Sequence, residues 1–208
     1  MNLFNLFLDL IFPPTCEICG KVGNYLCSNC YKKIKKYEIS FNIKNNVFSA
    51  YKYKEKIREL LIDYKFNDKS YLYNFFSEIL IKNKKVCKIL KSCDIIIPVP
   101  LHKIRLHERG YNQSELIIND VAKKINLQVE INVLKKIKNI KPQSEKGYKE
   151  RMKDIKGVYI VENYERIIGK KVLVFDDVYT TGSTTNECKK VLLEAGAKKV
   201  VILTMTRD

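Results

Sequence analysis

The chain has 208 residues, 46% hydrophobic and 11% aromatic, which suits one medium domain with a small appendage and excludes a disordered or fibrous protein. Lysine and arginine number 39 against 23 acids, a net charge of +16, so the surface attracts polyanions: phosphorylated ligands, nucleic acid or an anionic membrane. No apolar run is long enough to span a bilayer, and the stretch Leu3 to Phe12, broken by Asp9 and lacking a basic leader and a cleavage site, is a poor signal peptide.

In chain order, residues 2–12 read as a short helix with Leu3, Phe4, Phe7, Leu8 and Ile11 on one face, stopped by Pro13-Pro14. Without a basic face it suits packing on the protein better than lying on a membrane, although peripheral membrane contact stays open. Residues 15–36 are a cysteine module that closes in Lys32, Lys33, Lys35 and Lys36. Val47 to Tyr53 reads as a strand. Glu55 to Phe66 has helical spacing through Ile57, Leu60, Leu61 and Tyr64, and Tyr71 to Leu90 makes one or two further helices. Asp94 to Pro98 is a short apolar run ended by proline, which suits a buried strand. Asn112 to Ile125 is helical, residues 129–153 are polar, lysine-rich and include a mobile loop, and Gly157 to Val161 is strand-like. Val172 to Phe175 and Val200 to Thr204 are buried strands on either side of a helix from Ser183 to Ala195, stopped by Gly196. That strand–helix–strand order predicts an α/β fold: a parallel sheet with helices on both faces.

Four of the seven cysteines form two Cys-x-x-Cys pairs, Cys16 with Cys19 and Cys27 with Cys30. Each pair can turn two thiolates onto one metal ion, and two pairs complete a tetrahedral site, so a structural zinc is expected with no position open for catalysis. The odd count and the missing secretion signal favour a reducing, cytoplasmic setting. Cys87, Cys93 and Cys188 have no metal spacing and read as buried thiols. The positive charge is ambiguous: only six of the 39 basic residues are arginine, and lysine, asparagine and isoleucine are all abundant, as a biased genome would produce.

The segment Val172-Leu-Val-Phe-Asp176-Asp177-Val178-Tyr179-Thr180-Thr181-Gly182-Ser183-Thr184 carries more. A buried strand delivers two carboxylates to its C-terminal edge, where open α/β sheets bind ligands. The hydroxyl-rich loop then opens a helix, an arrangement whose backbone N–H groups suit a phosphate. The carboxylates would repel that phosphate, so they face something else, such as neighbouring sugar hydroxyls or a group carried by magnesium. A phosphate on one side and a diol on the other describe a ribose 5-phosphate site. Neither a Walker A lysine nor a G-x-G-x-x-G pattern occurs.

The stretch Asp176 to Thr184 resembles the phosphoribosyl-pyrophosphate (PRPP) loop of type I phosphoribosyltransferases. The cysteine module, Lys65-Phe66, Pro98-Val-Pro-Leu101, Arg109-Gly-Tyr-Asn-Gln113, Gln143, Arg151 and that loop, in this order, resemble the ComF family of competence-associated, phosphoribosyltransferase-like proteins, from about Cys16 to Thr206. The resemblance implies a type I phosphoribosyltransferase sheet over residues 37–208 and a zinc-ribbon-like module at 1–36. It makes Asp176 and Asp177 the candidate catalytic pair on the ribose hydroxyls and puts the 5-phosphate on Thr180, Thr181, Gly182, Ser183 and Thr184, with Val178 and Tyr179 completing the PRPP loop. Leu101, His102 and Lys103 would lie on the pyrophosphate loop, with Arg105 and Arg109 as candidates for pyrophosphate charge. An ion pair of Arg109 with Glu108 or Glu115 is an equal alternative. Residues 141–153 would cover the site, and Asp154 stands where the family pattern has asparagine. The implied ligand is PRPP with magnesium. The implied role is DNA uptake in natural transformation with binding of single-stranded DNA, a DNA-uptake helicase or other competence proteins being the partners. An active phosphoribosyltransferase with an unidentified acceptor, and a zinc-dependent docking protein with neither activity, stay open. Tyr51, Tyr53, Tyr71 and Tyr73 could stack on bases, but their spacing fits core aromatics better.

Overall fold

The computed structural model describes residues 13–39, 46–140 and 155–208. The N-terminal helix expected at 2–12, the covering segment 141–153 with Gln143 and Arg151, and Asp154 lie outside the described residues. From the N-terminus run helix α1 (Ser28–Ile34), strand β1 (Val47–Lys52), helices α2 (Glu55–Phe66), α3 (Tyr73–Lys82) and α4 (Lys84–Lys91), and strand β2 (Ile95–Pro98). Helices α5 (Lys103–Arg109) and α6 (Gln113–Ile125), strands β3 (Leu134–Lys136), β4 (Tyr159–Val161) and β5 (Lys171–Tyr179), helix α7 (Ser183–Glu194) and strand β6 (Lys199–Arg207) follow.

Four strands form a parallel sheet in the order β1-β6-β5-β2. Both faces are covered. Ile96, Leu173, Phe175, Val201, Leu203 and Met205 point to a core shared with α2, α3 and α6. Their neighbours Ile95, Ile97, Val172, Val174 and Val200 point the other way, into a core with α7 and the antiparallel β3–β4 pair. A strand buried on both faces loses its alternation and reads as a continuous apolar run, which is why these segments were legible as buried strands. The N-terminal module is not separate from this packing: Cys16, Leu26, Cys30, Ile34 and Tyr37 belong to the same buried cluster as α2 and α3, and the Lys82 ammonium donates to the Leu26 carbonyl at 3.1 Å.

Two elements differ from the periodicity reading. Gly157 to Val161 does not join the main sheet; its strand β4 pairs antiparallel with Leu134–Lys136, inside the stretch read as polar loop. Leu134 and Tyr159 are buried there, one residue per strand, too few for a periodic signal. Helix α5 buries no side chain at all. It is held by its ends: the His102 side chain accepts from the Ile104 N–H at 3.3 Å, and Gly110 stops it in the left-handed region at φ +79°.

Strand β2 ends at Pro98, opposite Phe175, and the Val99 N–H still donates to the Phe175 carbonyl at 2.8 Å. The next residues of β5, Asp176 and Asp177, therefore emerge past the end of their neighbour. The chain leaves β2 towards α5 and α6, and leaves β5 through α7 towards β6 on the other side. The crevice between those departures is the topological switch point, where such sheets receive ligands.

Candidate functional site

The four cysteines of the N-terminal module converge, their sulfurs all lying within 4.8 Å of one another. A tetrahedral zinc with Zn–S bonds of about 2.3 Å needs sulfurs ~3.8 Å apart, and Cys19 and Cys27 stand at 3.7 Å. Gly20 and Gly23, both at positive φ, turn the chain between the pairs. Burial opposes ionisation of Cys16, but the backbone N–H groups of Cys27, Ile18 and Cys19 outweigh it and bring the thiol down to about 6. Burial and the neighbouring sulfurs push the Cys30 thiol up, and it is the convergence of all four sulfurs that fits a metal, with two ligands buried and two nearer solvent.

At the switch point, the Asp176 carboxylate accepts from the Asp177 N–H at 2.9 Å and from the Ser114 hydroxyl at 3.3 Å. Burial and the charge of Asp177 push Asp176 up to about 7, against the opposing pull of Lys65 and these hydrogen bonds. Asp177 is held differently: the Lys65 ammonium, at the end of α2, lies 2.7 Å from its Oδ2, with both side chains less than one-fifth exposed. The backbone carbonyl of Asp177 accepts from the Thr206 hydroxyl at 3.2 Å, which ties the pair to β6.

The loop after β5 wraps a small cradle of about 30 Å³ lined by Asp176, Val178, Tyr179, Thr180 and Gly182 to Thr185. Gly182 adopts φ +75° and precedes the first turn of α7, whose residues Ser183, Thr184 and Thr185 line the cradle; the Ser183 N–H donates to the Thr181 hydroxyl at 3.4 Å. Thr181 and Ser183 share a hydrogen bond at 2.9 Å, and the Thr185 hydroxyl donates to the Gly182 carbonyl at 3.2 Å. The Tyr179 ring lies over Gly182 and is itself covered by the Arg207 guanidinium, 5.2 Å from its centroid. Hydroxyls, helix-start N–H groups and a glycine thus stand beside two carboxylates, as a phosphorylated sugar requires.

The residues expected on the pyrophosphate side separate. Leu101, His102 and Lys103 line a cavity of about 550 Å³, together with Leu106, Asn112 and Lys136. Burial pulls the Lys136 ammonium down, partly offset by the charge of Asp176, so this lysine links the cavity to the acid pair. Arg105 forms an ion pair with Glu108 at 3.1 Å. Arg109 pairs with neither suggested glutamate; its guanidinium stacks over Phe66 at 5.6 Å. His102 serves as the cap of α5.

Lys65 and Lys136 are the site residues that the sequence left without a role. Lys65 carried a signal, since Lys65-Phe66 was one of the segments behind the resemblance, but nothing local said which acid it meets, 112 positions on. Of the four tyrosines, Tyr51 is fully buried and Tyr53 and Tyr73 pack on the core, as the core reading expects, while Tyr71 is 46% exposed. Cys188 is fully buried on α7 and Cys93 is buried, whereas Cys87 is partly exposed and donates to the Ile81 carbonyl at 3.0 Å.

Residues 112–207 match the family described as Phosphoribosyl transferase domain. The chain is 27% identical over 201 residues to Competence protein F of Haemophilus influenzae, covering 93% of this chain and 85% of that protein. It is 28% identical over 194 residues to Competence protein ComFC of Streptococcus pneumoniae, covering 90% and 83%. To DNA utilization protein YhgH of Escherichia coli K12 it is 23% identical over 202 residues, covering 96% and 85%. The parallel sheet with flanking helices is a type I phosphoribosyltransferase fold, preceded by a four-cysteine module.

Proposed function

The chain is a homologue of the ComF competence proteins with a phosphoribosyl transferase domain, and on that premise we propose that it binds PRPP at the end of β5 and works in DNA uptake. The observation that carries the ligand is the single turn of chain that sets Asp176 and Asp177, at the end of β5, beside the cradle of Thr180 and Gly182 to Thr185 at the start of α7. The ribose hydroxyls donate to the carboxylates, and the 5-phosphate takes the loop hydroxyls and backbone N–H groups. The pyrophosphate, with magnesium, points towards the turn carrying Leu101 to Lys103. If a phosphoribosyl group is transferred, the site's work is to hold positive character at the ribose beside Asp176 and Asp177 while the leaving pyrophosphate meets the basic side.

Calorimetric titration with PRPP and magnesium tests this. The double variant Asp176→Asn/Asp177→Asn is expected to lose about a hundredfold or more in affinity, as two charged acceptors are replaced by neutral amides. Unchanged affinity in a folded double variant would remove the acid pair from the site.

Single-stranded DNA is the second ligand of this reading, supported by the +16 charge and by relatives named for competence and DNA utilization. Lys32, Lys33, Lys35 and Lys36 are exposed on α1 and the turn after it. Reversing these four to glutamate is expected to cut DNA affinity and flatten its salt dependence, whose slope is roughly −0.7 per neutralised phosphate for single strands, while leaving PRPP titration as before. An equal loss from reversing Lys84, Lys85, Lys88 and Lys91, exposed along α4, would mean that net charge alone matters. No helix among the described residues is long and apolar enough to cross a membrane.

A further inference from the structure

Two adjacent carboxylates beside a phosphate cradle pose an electrostatic problem. Both repel the ligand's phosphate, and both repel each other. In this structure the relief comes from α2, an element outside the PRPP loop. Its last turn is clamped to the segment between α5 and α6. The Tyr111 hydroxyl donates to the Tyr64 carbonyl, with the two rings 5.6 Å apart, and the Arg109 guanidinium lies 5.6 Å from the exposed Phe66 ring. The Tyr64 hydroxyl donates to the Gln113 carbonyl at 3.0 Å. Between Tyr64 and Phe66, Lys65 reaches inward to Asp177 Oδ2 at 2.7 Å, mostly out of solvent. A charge pair held this way, with a fixed base and little water around it, is stiff.

We propose that Lys65 is the positioning residue of the acid pair: it pins Asp177 through Oδ2, leaves Oδ1 to receive a sugar hydroxyl, and cancels one of the two negative charges that an incoming sugar phosphate meets. This rests on the ribose phosphate reading of the site and names a residue for it that lies outside the loop. A carboxylate has lone pairs enough for both partners, so the lysine need not leave when the sugar enters. Without it, Asp177 would be free to turn, and Asp176 would hold its proton more tightly.

The test uses the full chain, ribose 5-phosphate as the probe, and Lys65→Met, Lys65→Gln and Lys65→Arg, each checked for an intact thermal transition. Calorimetry is expected to show affinity for ribose 5-phosphate down about tenfold or more in the methionine and glutamine variants, and restored to within about threefold by arginine, which keeps the charge. Carbon NMR of the Asp176 carboxyl provides a readout that needs no ligand. The groups facing Asp176 are Asp177 on its own strand, Lys65 on α2, Ser114 on α6, Lys136 on β3, Tyr159 on β4 and Cys188 on α7. Of these, Lys65 is the largest influence that favours the ionised form. Its removal should move the Asp176 titration upward from its wild-type midpoint. Affinity within twofold of wild type in the folded methionine and glutamine variants, or an unmoved Asp176 titration, would overturn the proposal. If wild-type protein binds neither ribose 5-phosphate nor PRPP, the ribose phosphate reading fails, and the carboxyl titration still decides whether Lys65 governs the pair.

Discussion

Cys27→Ser is expected to strip zinc from the protein and lower its melting temperature by roughly 10 °C or more, since a structural zinc contributes on the order of 10 kcal/mol of folding free energy and about 1 kcal/mol shifts a chain of this size by ~2–4 °C. The size of the effect follows from where the module sits. Leu26, Cys30 and Ile34 are in one buried cluster with Leu61, Phe75 and Ile79. Losing the metal therefore loosens the wall against which α2 and α3 pack. The loss should appear in the main transition, without a separate early melting of a detached module. Since binding requires thiolates, acidification should release the metal as protons compete for the sulfurs. Elemental analysis finding no zinc in wild-type protein, or a serine variant that melts like wild type, would refute the metal assignment.

Gly182→Val is expected to abolish PRPP binding, a loss of about a hundredfold or more, while the chain stays folded. Two effects add. A β-branched residue at φ +75° is strained by about 1–3 kcal/mol. Its Cβ would also stand 2.3 Å from the Tyr179 hydroxyl oxygen and 2.6 Å from the ring carbon that bears it. Relieving that overlap means turning the Tyr179 ring away from its place beside the Arg207 guanidinium, 5.2 Å from its centroid. The displaced side chains would fill a cradle of only about 30 Å³, and the backbone could no longer approach a phosphate. Calorimetry with PRPP and magnesium measures this directly. Undiminished affinity in the variant would place the phosphate elsewhere. If both this variant and the acid-pair double variant bind normally, the end of β5 is not the ligand site.

The parts of the site built from neighbours in the chain were legible without coordinates. Two Cys-x-x-Cys pairs seven residues apart allow little except a shared centre, because each pair spans a single turn, and the structure brings all four sulfurs together. Asp176 to Thr184 likewise needs only a strand, a turn and a helix start in succession to place two acids beside a cradle. The helix from Glu55 to Phe66 could be read to the residue, because Ile57, Leu60, Leu61 and Tyr64 all face one core. Helix α5 could not be read from periodicity, because it buries nothing and depends on its two ends.

What the sequence by itself determined is the order of elements, the cysteine cluster, the acid pair with its loop, and the resemblance these carry. Hydrophobic period, metal spacing and loop chemistry are local properties that survive in one dimension. Only the tertiary structure decided which distant groups meet. It brought Lys65 from α2 to Asp177 and Lys136 from the short strand β3 towards Asp176. It also turned Arg109 onto Phe66, away from the glutamates beside it in sequence, and merged the cysteine module into the main core. The physical reason is that a charge finds its partner through the packing of the elements that carry it, and the residues between them in the chain hold no record of that distance.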